Sequence, residues 1–254
     1  RLPMQTGFDQ LILGSIYHAV LEQVYRQALE LGDWSEQALL SLLPLVAEAV
    51  FDAAPQRYGF RPTPLWAYQR RELTQILERT LQGLAEAAVE GGYRPLALEQ
   101  AFGLEGQPPL VIESGQGSLR LRGYIDRIDQ GSDGRLRLVD YKSSAAPIQV
   151  SELDEGRRLQ LPLYALAAEQ ALSLGQAAEA DGFYWHIGSA QPSRLRLETY
   201  EGGAQAALAV AVQGALAHVR GIRSGRFEPR PPAAGCPRSC PAVGFCWRYR
   251  PQRG

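Results

Sequence analysis

The sequence predicts an α/β domain, and three observations carry that reading. The first ninety or so residues are dominated by apolar side chains at three- and four-residue spacing, the period of amphipathic helices. Residues 95–142 break into short alternating segments that end in a hairpin. A helix, two further strands and a last helix follow, so helices stand on both sides of the strands in sequence.

Taken in order, residues 8–31 form the first helix, with Gly14, Tyr17, Leu21, Val24 and Ala28 on one stripe. His18 lies beside that stripe, and Glu22, one turn on, is placed to hydrogen-bond its imidazole. Leu39–Val50 reads as a helix interrupted or bent at Pro44, and Arg57–Pro64 as a loop. Trp66–Glu90 is a long amphipathic helix stopped by Gly91-Gly92. Strands are expected at 95–104 and 110–113, then at 119–129 and 135–142. Gln130-Gly-Ser-Asp-Gly134 supplies the turn between the last two, since Asp-Gly tolerates positive φ. Residues 152–174 read as one helix with Pro162 in its first turn or at a bend, 182–188 and 194–200 as strands, and 203–223 as the final helix. Pro229-Arg-Pro-Pro232 ends regular structure. The expected division is a core over 1–228 and a basic, cysteine-bearing tail over 229–254.

With 45% hydrophobic residues in 254, the chain can build a substantial core. No uninterrupted apolar run approaches ~18 residues, so no membrane span is expected. No signal-peptide pattern opens the chain. Three cysteines gathered near one end do not make a disulfide framework, which favours a cytoplasmic setting. The chain opens on Arg1, with a domain already under way, as a fragment of a longer chain would. The net charge of −1 says nothing about nucleic acid, but its distribution does. Residues 220–254 hold eight arginines against one acid, Glu228, and interleave Phe227, Trp247 and Tyr249, a composition suited to contacting phosphates. No phosphate-binding loop of the Gly-x-x-x-x-Gly-Lys-Ser/Thr type is present, so any ATP-driven motor of that kind lies elsewhere.

The chemistry points to the hairpin. Side chains two apart on a strand share a face, so Asp140 and Lys142 stand together. Asp126, on the preceding strand, can reach the same edge. Two carboxylates converging beside an ammonium suit a divalent cation held by oxygen ligands, with the lysine free to orient water or to meet developing negative charge. Lys142 is the only lysine among 26 basic residues, a departure from an otherwise complete preference for arginine. Glu99, on the first strand, is a further candidate carboxylate.

Gly-x-x-Asp-Arg-Ile-Asp (123–129), Val-Asp-Tyr-Lys-Ser (139–143) and Gln-Leu-Pro-Leu-Tyr-Ala (160–165) occur in that order. In order and spacing they resemble the RecB-type branch of the PD-(D/E)xK nuclease superfamily. Gly14-Ser-Ile-Tyr-His-Ala-Val-Leu-Glu22 is similar to that branch's first motif, Gly-x-x-x-His-x-x-Leu-Glu. Ile125 stands where the wider superfamily has proline, and Asp140 where many members have glutamate. The resemblance covers residues 8–250. It implies a restriction-endonuclease-like core, a mixed central sheet flanked by helices, with a helical insertion before the sheet and the tail packed back on it. It implies Mg²⁺ or Mn²⁺ held by His18, Asp126, Asp140 and the backbone carbonyl of Tyr141. Lys142 would position the attacking water, and Gln160 and Tyr164 would contact DNA or steady the site. An imidazole beside carboxylates suits Mn²⁺ better than Mg²⁺. The resemblance further implies an exonuclease of DNA repair and recombination, with a helicase motor in the same chain or in a partner subunit.

Cys236, Cys240 and Cys246 point to a soft metal or an iron–sulfur centre. With Pro237, Pro241 and Phe245 they resemble the carboxy-terminal cluster of AddB-like nucleases and of their CRISPR-adaptation relatives. There a fourth cysteine, upstream of the first helix, completes a [4Fe–4S] site. Structural zinc and free thiols are the rivals. Rival functions are a degenerate DNA-binding module of a repair complex, a CRISPR-adaptation nuclease, and a protein with a purely structural cation site, which would gain nothing from an adjacent ammonium.

Overall fold

The computed structural model describes residues 5–229, apart from 116 and 145–146, together with 231, 235, 236, 240 and 242–251. It divides into two compact units, residues 1–215 and 216–254.

The larger unit opens with a short strand β1 (Gln5–Thr6) and the helix α1 (Gln10–Leu31). Asp9 caps α1 by accepting the amides of Leu11 and Ile12, and Gly32 closes it in the left-handed conformation. The second helix, α2 (Glu36–Tyr58), is longer than the sequence suggests. It runs through Pro44 and Pro55 without interruption, so of the two alternatives expected at Pro44 the interruption is corrected, as is the loop from Arg57. Pro44 itself lies on the exposed side of the helix, so its ring does not disturb the buried stripe. β2 (Phe60–Arg61) pairs with β1, and α3 (Trp66–Glu90) ends at Gly91 as expected. By length and composition α2 could also cross a membrane. Here its buried stripe, Leu39, Leu43, Val46, Val50 and Phe51, belongs to the core shared with α1 and α3.

The strands β3 (Tyr93–Phe102), β6 (Gly123–Gly131), β7 (Leu136–Lys142), β8 (Asp181–His186) and β9 (Gln191–Arg196) form one sheet in the order β3-β6-β7-β8-β9. Only β7 and β8 are parallel. The sheet is therefore mixed, as a restriction-endonuclease-like core requires. β4 (Leu110–Ser114) and β5 (Gly117–Leu121) make a separate hairpin between β3 and β6. Val139, Tyr141, Phe183 and Trp185 join α1–α3 in one core. The approach of α3 to β8 is close: a Cβ on Gly83 would lie 2.9 Å from the Trp185 ring.

The crossover from β7 to β8 carries α4 (Ser151–Asp154) and α5 (Gln160–Gln170) instead of the single expected helix. Gly156, at φ 73°, turns the chain between them. That break makes Gln160 the first residue of α5 and leaves Pro162 in its first turn, where a missing amide costs little. α6 (Gly203–Arg223) follows β9.

Candidate active site

The site forms where two strands part. β6 and β7 pair from Gln130↔Leu136 to Arg127↔Val139 and no further. At the next position the Asp126 carboxylate takes the Tyr141 amide, Oδ2 accepting at 2.8 Å. Asp126 thus replaces a ladder partner and sits in the gap with 11% of its side chain exposed. β7 stays paired to β8 out to Lys142↔His186, which keeps Asp140 and Lys142 on a rigid strand.

α1 brings His18 into the gap. Glycine at position 14 allows this: a Cβ there would meet Ser143 Oγ at 3.3 Å, tighter than ordinary contact. His18 Nε2 donates to the Tyr141 carbonyl oxygen at 3.1 Å. A carbonyl only accepts, so Nε2 carries the hydrogen and Nδ1 is left to face the carboxylates, Asp126 Oδ2 at 3.5 Å and Glu99 Oε1 at 3.9 Å. Glu22 is not the partner expected for His18; its Oε1 accepts from Arg26 Nη2 at 2.6 Å.

Glu99 reaches the site from β3. Its neighbours Leu98 and Gln100 pair with Arg127 and Ile125, which sets Glu99 across from Asp126. Its φ of 45° is a backbone conformation that a non-glycine residue adopts at a cost. His18, Glu99 and Asp126 each place one ligand atom within 4.8 Å of the others. Among the described residues this is the one group of three or more such side chains so disposed.

Asp140 stands behind this trio, 1% exposed, with Oδ2 against the Lys142 ammonium. Lys142 Nζ also donates to Gln160 Oε1 at 3.1 Å and lies 5.3 Å from the Tyr184 ring centroid. Gln160 Nε2 in turn donates to Tyr164 Oη at 3.2 Å. A chain of contacts therefore runs Asp140–Lys142–Gln160–Tyr164, joining the two motifs across the crossover.

The electrostatics are those of crowded, buried acids. Burial, reinforced by the Asp140 charge, pushes the Asp126 carboxyl up to about 7, against the pull of His18 and the Tyr141 amide. Burial also raises Asp140, and Lys142 holds it back. At His18 burial works to lower the pKa, but the Glu99 hydrogen bond and the surrounding carboxylates outweigh it, and the net shift is upward. A divalent cation is the occupant this donor set fits: it relieves the repulsion between carboxylates that protons otherwise have to relieve.

Beneath the site Arg127 is buried. It pairs with Asp129 at 2.5 Å and lies over the Tyr25 ring at 4.0 Å. His186 is also buried, its Nδ1 bonded to the Ser144 carbonyl and its Nε2 accepting from the Ile148 amide, so it ties both residues to β8. In the smaller unit Cys236, Cys240 and Cys246 are free thiols, Cys236 buried, with its amide bonded to the Arg250 carbonyl. The three give one thiolate fewer than a four-cysteine centre needs. Phe227 and Trp247 are exposed, and Arg248 lies over the Trp247 ring at 4.6 Å.

A mixed sheet that carries buried acids and a lysine at a strand gap defines a class, and comparison with known families supplies it. The family model of the PD-(D/E)XK nuclease superfamily matches residues 1–247, and the chain belongs to that superfamily. Among curated proteins it is similar to the B subunit of ATP-dependent helicase/deoxyribonuclease from several bacteria. The Moorella thermoacetica protein is 36% identical over 188 residues, 70% of this chain and 16% of that protein. The Geobacillus kaustophilus protein is 33% identical over 186 residues, 69% and 16% respectively. The Symbiobacterium thermophilum protein is 40% identical over 110 residues, 39% and 9%. The chain thus spans about a sixth or less of the length of these relatives.

Proposed function

We propose that the chain is the nuclease domain of a helicase–nuclease that works in DNA repair and recombination, and that it hydrolyses DNA phosphodiester bonds with Mg²⁺ or Mn²⁺, acting as an exonuclease. The observation that carries this is the junction of the His18–Glu99–Asp126 trio with the buried Asp140–Lys142 pair. His18, Asp126 and Asp140 would hold the cation, with Glu99 beside them. The Tyr141 carbonyl, expected as a further ligand, is engaged by His18 Nε2, so its proposed role changes to setting the imidazole with Nδ1 toward the cation. When bound, the cation polarises the scissile phosphate and lowers the pKa of water next to it. Imidazole in the donor set favours Mn²⁺.

Lys142 orients the attacking water and meets the charge that builds on the phosphorane oxygens. Gln160 fixes the ammonium by accepting its hydrogen, and Tyr164 fixes Gln160. Gln160 and Tyr164 would also contact the DNA strand, and the arginine-rich composition of residues 220–254 suits further phosphate contacts. Cys236, Cys240 and Cys246 would hold a [4Fe–4S] cluster with a fourth thiolate from another segment, in a cytoplasmic protein.

Incubation of labelled linear and circular DNA with Mn²⁺, with Mg²⁺ and with chelator tests the catalytic reading. Cleavage should need the cation and a free end. Lys142→Ala should lower kcat by about 10²–10³-fold while Mn²⁺ binding persists. Cleavage in chelator, or an undiminished rate in Lys142→Ala, would sink the proposal.

A further inference from the structure

Beside His18 and Glu99 the surface opens into a cavity of about 430 Å³, lined by neither Asp140 nor Lys142. Its floor is α1, where Gly14, His18 and Glu22 fall one turn apart. Its wall includes Arg57 and Tyr58, from the last turn of α2. A second cavity, of about 450 Å³, shares Glu22 and Arg57 with the first and continues past Arg26 and Glu30. The two follow the same helix, so a trough leads along α1 away from the trio.

The charges in this trough are unequally paired, and its exposed acid Glu30 lines only the second cavity, not the one that Tyr58 lines. Glu22 is held by Arg26 at 2.6 Å, and Glu99 is turned toward His18. Arg57 is exposed and, among the described residues, has no carboxylate partner. Its guanidinium lies 5.6 Å from the centroid of the Tyr58 ring. The Tyr58 hydroxyl donates to the Ser15 carbonyl at 3.2 Å, which ties the half-buried ring to α1. A free guanidinium next to an anchored aromatic ring is the pairing that takes a backbone phosphate with its base stacked alongside. A base can stack there only if it is unpaired.

We propose that Arg57 and Tyr58 form a subsite for single-stranded DNA, with Arg57 gripping a phosphate at least one nucleotide from the cut and Tyr58 stacking the adjacent base. The subsite deepens the nuclease reading and rests on it. Arg57 belongs to neither the trio nor the lysine chain, so its loss should weaken strand binding and leave the chemical step alone. An exposed arginine without an ion pair also contributes little to folding, so its variants should melt as the wild type does.

The test compares wild type, Arg57→Gln and Arg57→Lys. Anisotropy of a fluorescein-labelled oligonucleotide in chelator reads binding without cleavage, and Mn²⁺-dependent cleavage of the same strand reads KM and kcat. Arg57→Gln should raise Kd and KM about tenfold, keep kcat within about twofold, and flatten the salt dependence of log K by about 0.7, the share of one single-strand phosphate contact. Arg57→Lys should recover much of the binding, and a closed duplex with no unpaired bases, a relaxed covalent circle, should bind all three alike. Wild-type Kd, KM and salt slope in Arg57→Gln would overturn the subsite, as would an equal loss on the closed duplex. Arg57-dependent binding by a wild type that cuts no DNA would sustain the subsite and overturn the catalytic reading instead.

Discussion

Replacing Asp126 by asparagine should stabilise the metal-free protein while abolishing its activity. The magnitude follows from the burial of the carboxyl. Its pKa in the folded chain is pushed up to about 7 from an ordinary 3.8. At about 1.36 kcal/mol per pH unit, that displacement is worth roughly 4 kcal/mol at its limit. Part of it is shared with Asp140, and 11% exposure lets water relieve some of the rest, so about 2 kcal/mol is the expected gain. The sign is fixed by linkage. The folded state holds the proton more tightly than the unfolded chain, so the wild type is favoured below about 3.8 and loses that advantage as pH climbs to about 7. Asparagine has no such loss, and its carbonyl can still accept the Tyr141 amide. Urea unfolding in chelator should therefore show a gap in favour of Asp126→Asn that is wider at pH 8 than at pH 5. Mn²⁺ at about 100 times Kd should add about 3 kcal/mol to the wild type and far less to the variant. A variant that is no more stable than wild type at pH 8, or a gap equal at both pH values, would refute the reasoning.

Three further outcomes are expected. His18→Ala should weaken Mn²⁺ binding with little change in melting temperature; calorimetric titration beside a thermal melt reads both, and unchanged affinity with a lowered melt would make His18 a packing residue. Glu99→Gln should lower Mn²⁺ affinity by roughly 10–100-fold, the scale seen when groups around a metal are altered, and titration monitored by Mn²⁺ paramagnetic resonance checks it. Arg127→Ala should cost about 3–5 kcal/mol, because it strands the buried Asp129 carboxylate without its partner; denaturant unfolding measures it, and a loss under about 1 kcal/mol would mean that water reaches the cavity.

The parts of this molecule that are legible in sequence are those that chain-local rules specify. The β6–β7 hairpin and the span of α3 follow from Asp-Gly and Gly-Gly signals, and the motifs that hold Asp140, Lys142 and Gln160 meet in one chain of contacts. α2 outruns expectation because a proline reads as a helix break, whereas Pro44 and Pro55 lie inside one helix whose buried stripe continues past Pro44, itself exposed. Glu22 departs from it because one-turn spacing is ambiguous. It lies one turn from both His18 and Arg26, and the guanidinium, a full charge, wins it once the Tyr141 carbonyl has engaged the imidazole. Glu99 is hard to rank from sequence because its position depends on a left-handed backbone and on a facing strand, neither of which its neighbours in the chain reveal.

The least legible feature is also the one that makes the site. Nothing in Gly-Tyr-Ile-Asp says that the ladder stops at Arg127, yet the stop is what opens the gap and draws Asp126 into it. One carboxylate then has two jobs: it satisfies the Tyr141 amide in place of a strand, and it stands with His18 and Glu99 where the proposed cation would bind. Alanine at 126 would remove both at once, leaving a buried amide without an acceptor, and its effects on folding and on metal binding could not be separated. Asparagine keeps the first job and loses the second. That is why the neutral, isosteric change is the informative one, and why the sign of its effect on stability distinguishes a carboxylate kept for a cation from one kept for the fold.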